Sequence, residues 1–374
     1  MTALDLLPSG LPPETRTETA TSSLTAPAAD AGLPLIPGEA TVAGWLNVSG
    51  GHRVYYEQGG QIGSLPVLFL HGGPGGACSP RHPQLFDLTR CRLTLFDQRG
   101  CGRSLPRALL EANTSDALVA DIEALRQHLG VARWLVVAGS WGAGLALAYA
   151  AAHRSACLGL ILRGVFLGRR SDVNWFFQDA RQFLPDAWAA LAADAPESSH
   201  HDLLTWLADG VLGRNAAKAL ECALVWEAWE SSVTLRQNVA RRSATLPEPE
   251  KAALLAKYRI QSHYLINSCY WADAPLLGRA AALAGLPTAI LHGRLDWVCR
   301  PQAAWDVHQC IAGSRLQWLD TCGHSPFEPA MAEALTQALA QFADQGHFDG
   351  WGQNFAALAT PCACACRSIC WSPP

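Results

Sequence analysis

The stretch Trp134-Leu135-Val136-Val137-Ala138-Gly139-Ser140-Trp141-Gly142-Ala143-Gly144, running on through Leu145 to Ala152, decides the fold. Trp134 to Ala138 is a short apolar run, which reads as a strand buried on both faces. Small residues flank Ser140, so the chain can turn sharply out of the strand, and Leu145 to Ala152 continues as a helix of small residues. Such a turn pushes a serine hydroxyl out above the edge of a sheet. Ala138 stands where the usual G-x-S-x-G pattern has its first glycine, so the match is slightly relaxed.

Segments on either side repeat the alternation. Arg53 to Glu57 and Val67 to Leu70 read as strands, the second leaving through His71-Gly72-Gly73-Pro74-Gly75-Gly76. Leu93 to Phe96 leaves through Asp97-Gln98-Arg99-Gly100-Cys101-Gly102-Arg103-Ser104. Asp116 to Leu129 carries Leu118, Ile122, Leu125 and Leu129 at amphipathic-helix spacing, with Gly130 as its stop. Leu158 to Leu162 is the next strand. The order implies an α/β fold with a mostly parallel central sheet and helices on both faces.

From about 168 to 285 the pattern becomes rich in Trp, Ala and Leu at helical spacing, as in Phe176 to Phe183, Leu203 to Leu212 and Ala216 to Glu230. This predicts an inserted helical cap. Strands resume at Thr288 to Leu291 and Leu316 to Leu319, so residues 38–167 and 286–345 form the core. Residues 1–37, dominated by Pro, Ala, Ser and Thr with Arg16 the one basic residue, read as a disordered extension. Residues 346–374, with Cys362, Cys364, Cys366 and Cys370, read as a flexible tail rather than a metal site.

Composition narrows the function. Lys+Arg 28 against Asp+Glu 32 gives a net charge of −4, which offers no global positive field for a nucleic-acid partner. No run approaches the ~18 apolar residues of a membrane span, and no secretory signal opens the chain. A cytoplasmic protein with reduced thiols is expected, since nine of its 13 cysteines are scattered singly from Cys78 to Cys322.

A serine is a poor nucleophile unless a base, an orienting carboxylate and oxyanion donors surround it. Asp296 follows a later strand and His324 the last one, in the order nucleophile, acid, base. The glycines from Gly72 to Gly76 let backbone N–H groups approach a ligand. Neither G-x-G-x-x-G nor G-x-x-x-x-G-K occurs there, which disfavours a nucleotide site. Ser at position 140 also excludes an aspartate-nucleophile dehalogenase or epoxide hydrolase.

These motifs, with Gly44-Trp45-Leu46, Leu162-Arg163-Gly164-Val165-Phe166, Trp226 to Glu230 and Gly323-His324-Ser325, resemble the proline iminopeptidases, α/β-hydrolase serine peptidases. The resemblance runs from Gly44 to Ser325. It implies Ser140 as nucleophile, Asp296 as orienting acid and His324 as base, with Gly73 or its neighbour Gly72 and Trp141 giving the oxyanion N–H groups. It needs no cofactor or metal. It also implies a short peptide with a free N-terminal proline as substrate, its ring against Phe166, Phe176 and Leu265, where Leu265 replaces a usual aromatic.

The family's amine site takes two carboxylates, one from Trp-x-x-Trp-Glu and one from Glu-x-His-Tyr. Trp226, Trp229 and Glu230 match the first, but the second reads Gln261-Ser262-His263-Tyr264. Losing one charge-assisted bond costs on the order of 1 kcal/mol, about tenfold in amine recognition. Glu227, three residues before Glu230 on nearly the same helix face, is the candidate substitute. Trp226 and Trp229 could wall the proline ring or pack the cap core. The expected activity is a serine exopeptidase, with relaxed selectivity toward other small apolar residues. An esterase or amidase on the same triad is the alternative, and a non-catalytic binding protein of this fold would ordinarily lack a triad member.

Overall fold

The computed structural model describes residues 34–38, 41–271 and 275–353. Eight strands form one sheet: β1 (Val42–Asn47), β2 (Arg53–Gly60), β3 (Leu65–Leu70), β4 (Cys91–Phe96), β5 (Trp134–Gly139), β6 (Cys157–Arg163), β7 (Thr288–Gly293) and β8 (Arg315–Leu319). Their order is β1-β2-β4-β3-β5-β6-β7-β8; β1 with β2 and β2 with β4 are antiparallel and all other pairs parallel. The parallel strands therefore end on one rim. The chain order reverses around β3, the place where open α/β sheets receive ligands.

Alternation sets the two faces. Leu68, Leu70, Trp134, Val136, Ala138, Leu160 and Leu162 pack with the helix Trp141–Ala152 on one side. Val67, Phe69, Leu93, Leu95, Leu135, Val137 and Ile161 pack with the helix Pro329–Gln345 on the other. Each such large side chain, fully buried, contributes about 1.5–3 kcal/mol. The helix after β5 lies close because it carries glycine: a Cβ on Gly142 would stand 2.4 Å from the Leu70 carbonyl oxygen.

The helices Arg170–Phe177, Pro185–Ala192, Leu203–Leu212, Ala216–Leu235 and much of Glu248–Ile266 enclose a separate core around Phe177, Leu207, Trp226, Trp229 and Tyr258. This is the inserted cap. Its end differs from the expected boundary at 285: Cys269, Trp271, Leu276, Ala280 and Leu283 pack into the core beside the helix Trp141–Ala152. The helix expected over Phe176 to Phe183 instead stops at Phe177 and passes into a 3₁₀ turn at Asp179–Gln182, because Gln178 leaves the helical region (φ −123°, ψ −54°).

Both ends of the described chain are more tightly held than their composition suggests. The backbone N–H groups of Leu35 and Ile36 donate to Glu57 Oε2 at 2.6 and 3.0 Å, and Ile36 is buried, so the extension does not run free to residue 37. Residues 1–33 lie outside the described part. At the other end Gly346 caps the last helix in the left-handed region, Phe348 and Trp351 enter the core, and Gln353 pairs both backbone groups with Leu316. The segment thereby covers part of the free edge of β8. The tail expected from 346 is thus not free as far as 353, and the rest of it, with its four cysteines, lies outside the described residues.

Phe348 stacks 5.2 Å from Phe342 and is 3% exposed. Phe348→Ala should therefore destabilise the protein by about 3 kcal/mol or more, read as a fall in urea midpoint at constant slope.

Candidate active site

Ser140 sits at the turn between β5 and its helix with φ 59° and ψ −129°, a conformation side chains rarely adopt. Its N–H donates to the Arg163 carbonyl oxygen at 2.9 Å, tying the turn to the end of β6. Asp296, after β7, and His324, after β8, reach the same rim. His324 Nδ1 lies 2.7 Å from Asp296 Oδ2, and Asp296 Oδ1 accepts the N–H groups of Val298 and Cys299 at 3.0 and 2.8 Å. Burial by itself would raise the Asp296 carboxyl, but the adjacent His324, together with His292 and the Cys299 N–H, holds it below its ordinary value. An ionised Asp296 fixes His324 as the Nδ1–H tautomer and leaves Nε2 as the basic nitrogen.

Ser140 Oγ lies 4.0 Å from the Cys299 sulfur, and no Ser140–His324 hydrogen bond is present among the described residues. Catalytic contacts of this kind commonly tighten only when substrate arrives. Two groups keep the base loop in place. Arg163, buried, donates to the His324 carbonyl oxygen, and Glu328 accepts the Gly323 N–H at 2.9 Å. Gly164 lies directly under the pair: a Cβ there would be 3.2 Å from Asp296 Oδ2 and from His324 Nδ1.

The glycine loop after β3 is fastened by Gln98. Gln98 Nε2 donates to the His71 carbonyl oxygen and Gln98 Oε1 accepts the Trp141 indole N–H, both at 2.9 Å. His71 Nε2 in turn accepts the Gln98 N–H at 3.0 Å. Among the described residues neither the Gly73 nor the Trp141 backbone N–H has a backbone acceptor outside its own element. Trp141 is moreover the first residue of its helix, where the N–H has no partner within the helix.

These groups open into a cavity of about 100 Å³, whose lining includes Gly73, Ser140 and His324 together with Glu230 and Gln261. Phe166, Phe176 and Leu265 supply apolar lining. At roughly 10–15 Å³ per water-sized space, the volume holds about seven to ten waters.

The α/β-hydrolase fold family matches residues 66–330. A proline iminopeptidase from Xanthomonas citri is 42% identical over 302 residues, 80% of this chain and 96% of that protein. One from Arabidopsis thaliana is 39% identical over 309 residues, 81% of this chain and 80% of that protein. The chain belongs to the proline iminopeptidase family of α/β hydrolases. In fold it is similar to the crystal structure of the Mycobacterium smegmatis proline iminopeptidase, with TM-score 0.56 and 21% identity over 82% of this chain and 98% of that one.

The residues expected to hold a substrate amine are placed differently from one another. Glu227 does not reach the cavity; both its oxygens bind Arg242, at 2.7 and 2.9 Å, because three helical residues rotate it about 60° from Glu230, toward the segment after the helix. Trp226 and Trp229 are wholly in the cap core: Trp226 packs on Phe177 and Tyr258, and the Trp229 indole donates to the Phe176 carbonyl oxygen at 3.0 Å. Gly72 lies behind Gly73, close enough that a Cβ would be 3.2 Å from Ser140 Cβ. Sequence reasoning did not find Cys299, Val298, Val173, Phe177 or Thr234, which also line the cavity. Cys299 could have been suspected from its place three residues after Asp296.

A methyl added at Gly164 would press on the His324–Asp296 pair. Gly164→Ala, which also meets a left-handed backbone (φ 52°), should lower kcat about tenfold or more with a smaller change in KM. A steady-state comparison of the two constants checks this.

Acid stability is set nearby. Burial lowers the pKa of His71 and His292, and burial with help from His71 lowers His82 to about 4. A histidine whose pKa falls on folding is protonated first in the unfolded chain, so its stabilisation is complete above about 6.5 and lost as pH drops toward the folded value. Tm should therefore fall steadily from pH 6.5 to 4, and less steeply in His82→Gln. A flat Tm over that range would contradict it.

Proposed function

We propose that this protein is a prolyl aminopeptidase that works through an acyl-enzyme on Ser140. Ser140 Oγ attacks the carbonyl of the first residue while His324 Nε2 takes its proton. The oxyanion is received by the Gly73 and Trp141 N–H groups. His324 returns the proton to the leaving amine, water enters, and the same base deprotonates it for deacylation. Asp296 stays ionised throughout and stabilises the imidazolium.

The observation that carries this reading is the cavity itself. It joins a Ser-His-Asp constellation to a carboxylate, Glu230, with an apolar lining of Phe166, Phe176 and Leu265. The apolar lining supports a proline or other small apolar residue, and the carboxylate supports a free amine over a blocked one. Short peptides are the expected substrates.

One observation favours an esterase as the second reading. Glu230 is ion-paired to Lys257, and Gln261 is neutral, so the amine end is less anionic than two free carboxylates would make it.

Turnover of prolyl-p-nitroanilide, N-acetylprolyl-p-nitroanilide and p-nitrophenyl acetate by wild type and Ser140→Ala separates the two. Cleavage of the free-amine prolyl substrate, blocked by acetylation and lowered at least about 10⁴-fold in Ser140→Ala, is expected. Cleavage of the acetate ester alone would favour the esterase.

A further inference from the structure

Glu230 already faces a cation within the protein. Lys257 Nζ lies 2.6 Å from Glu230 Oε1, the two side chains being 31% and 26% exposed. Glu230 Oε2 accepts from the Tyr258 hydroxyl at 3.3 Å and from Gln261 Nε2 at 3.4 Å. Lys257, Tyr258 and Gln261 lie within one turn of the helix Glu248–Ile266, so that turn brings an ammonium, a phenol and an amide to one carboxylate. Burial keeps the Tyr258 phenol neutral, its pKa well above the ordinary value.

The other end of the amide is different. Gln261 lines the cavity, and its Oε1 is buried with no hydrogen-bond partner among the described residues. An orphaned acceptor there costs free energy until a donor arrives. The formal charge of the Glu230, Lys257 and Gln261 group is −1 + 1 + 0 = 0. Coulomb attraction alone therefore draws an incoming ammonium only weakly.

We propose that Lys257 is a specificity-determining residue, an internal ammonium that competes with the substrate's for Glu230. The inference rests on the reading of Glu230 as the amine-binding carboxylate. A protonated N-terminal amine competes with Lys257 for the negative charge of the carboxylate, and it gains a second acceptor in Gln261 Oε1. The site thus selects an amine that presents two N–H donors at once, as protonated proline does, more by hydrogen-bond geometry than by charge. Lys257 has somewhere to go: it also lines a groove beside Gly75, Gly76 and Gly100, and its ammonium sits 4.8 Å over the Tyr258 ring.

The test compares the dissociation constants of prolinamide and of cyclopentanecarboxamide, the carbocyclic isostere lacking the amine, in a Ser140→Ala background. Lys257→Met, which keeps the aliphatic stem, should raise the preference for prolinamide about tenfold, and Lys257→Arg should return it toward the original value. Glu230→Gln should lower the preference, and adding Lys257→Met to it should change nothing further. Circular dichroism and Tm establish that each variant is folded, and Lys257→Gln serves in place of any Lys257→Met protein that is not. An unchanged or reduced preference without the Lys257 charge, while Glu230→Gln still lowers it, would overturn the role of Lys257 and leave the amine site standing. No effect of Glu230→Gln would remove the amine-site reading itself.

Discussion

The conformation of Ser140 is the constraint on which the rest of the site depends. A residue with a side chain at φ 59°, ψ −129° costs about 1–3 kcal/mol, and it persists only where its neighbours leave no alternative. Here the neighbours are backbone and one arginine side chain. The Ser140 N–H is held by the Arg163 carbonyl, Gly139 packs against the Arg163 guanidinium, and Gly142 rests on the carbonyl of Leu70. The small residues around the serine matter because the strands and helix approach within a methyl group's width. The same approach places the first N–H of the helix beside the nucleophile.

A second constraint joins loops that are far apart in the chain. Gln98 connects the His71 carbonyl with the Trp141 indole, and so aligns the glycine loop with the serine turn. Asp97, next to it, accepts the N–H groups of Cys78 and Arg103 at 2.8 and 2.9 Å. The Asp-Gln-Arg-Gly motif is thus scaffolding for the site rather than part of its chemistry. Arg99 completes it with a buried bidentate pair to Asp121, one of whose bonds is 2.7 Å.

Core and cap meet closely beside the glycine loop. A Cβ on Gly75 would stand 2.3 Å from the Lys257 carbonyl oxygen, so that loop touches the helix that carries Lys257, Tyr258 and Gln261. The cavity lining draws on both sides of this contact: Gly73, Ser140 and His324 come from the loops after the strands, and Glu230 and Gln261 from the helices between β6 and β7.

The serine turn, the strand-loop pairs after β3 and β4 and the order Ser140, Asp296, His324 were legible in the sequence, because strand burial and glycine-dependent turns are local properties with short-range signals. The helices Leu203–Leu212 and Ser115–His128 were readable for the same reason. Strand β1 was not, since an exposed edge strand has no alternating pattern, and neither was the docking of Phe348 and Trp351, whose surroundings are spread along the chain. At the amine end, composition and spacing could name Glu230, Gln261 and Glu227 as candidates but could not say where each points. Only the tertiary packing decided that Glu227 turns to Arg242, in the segment after its helix, while Glu230 meets Lys257 on the next helix, because partners 15 and 27 residues apart are not set by local pattern.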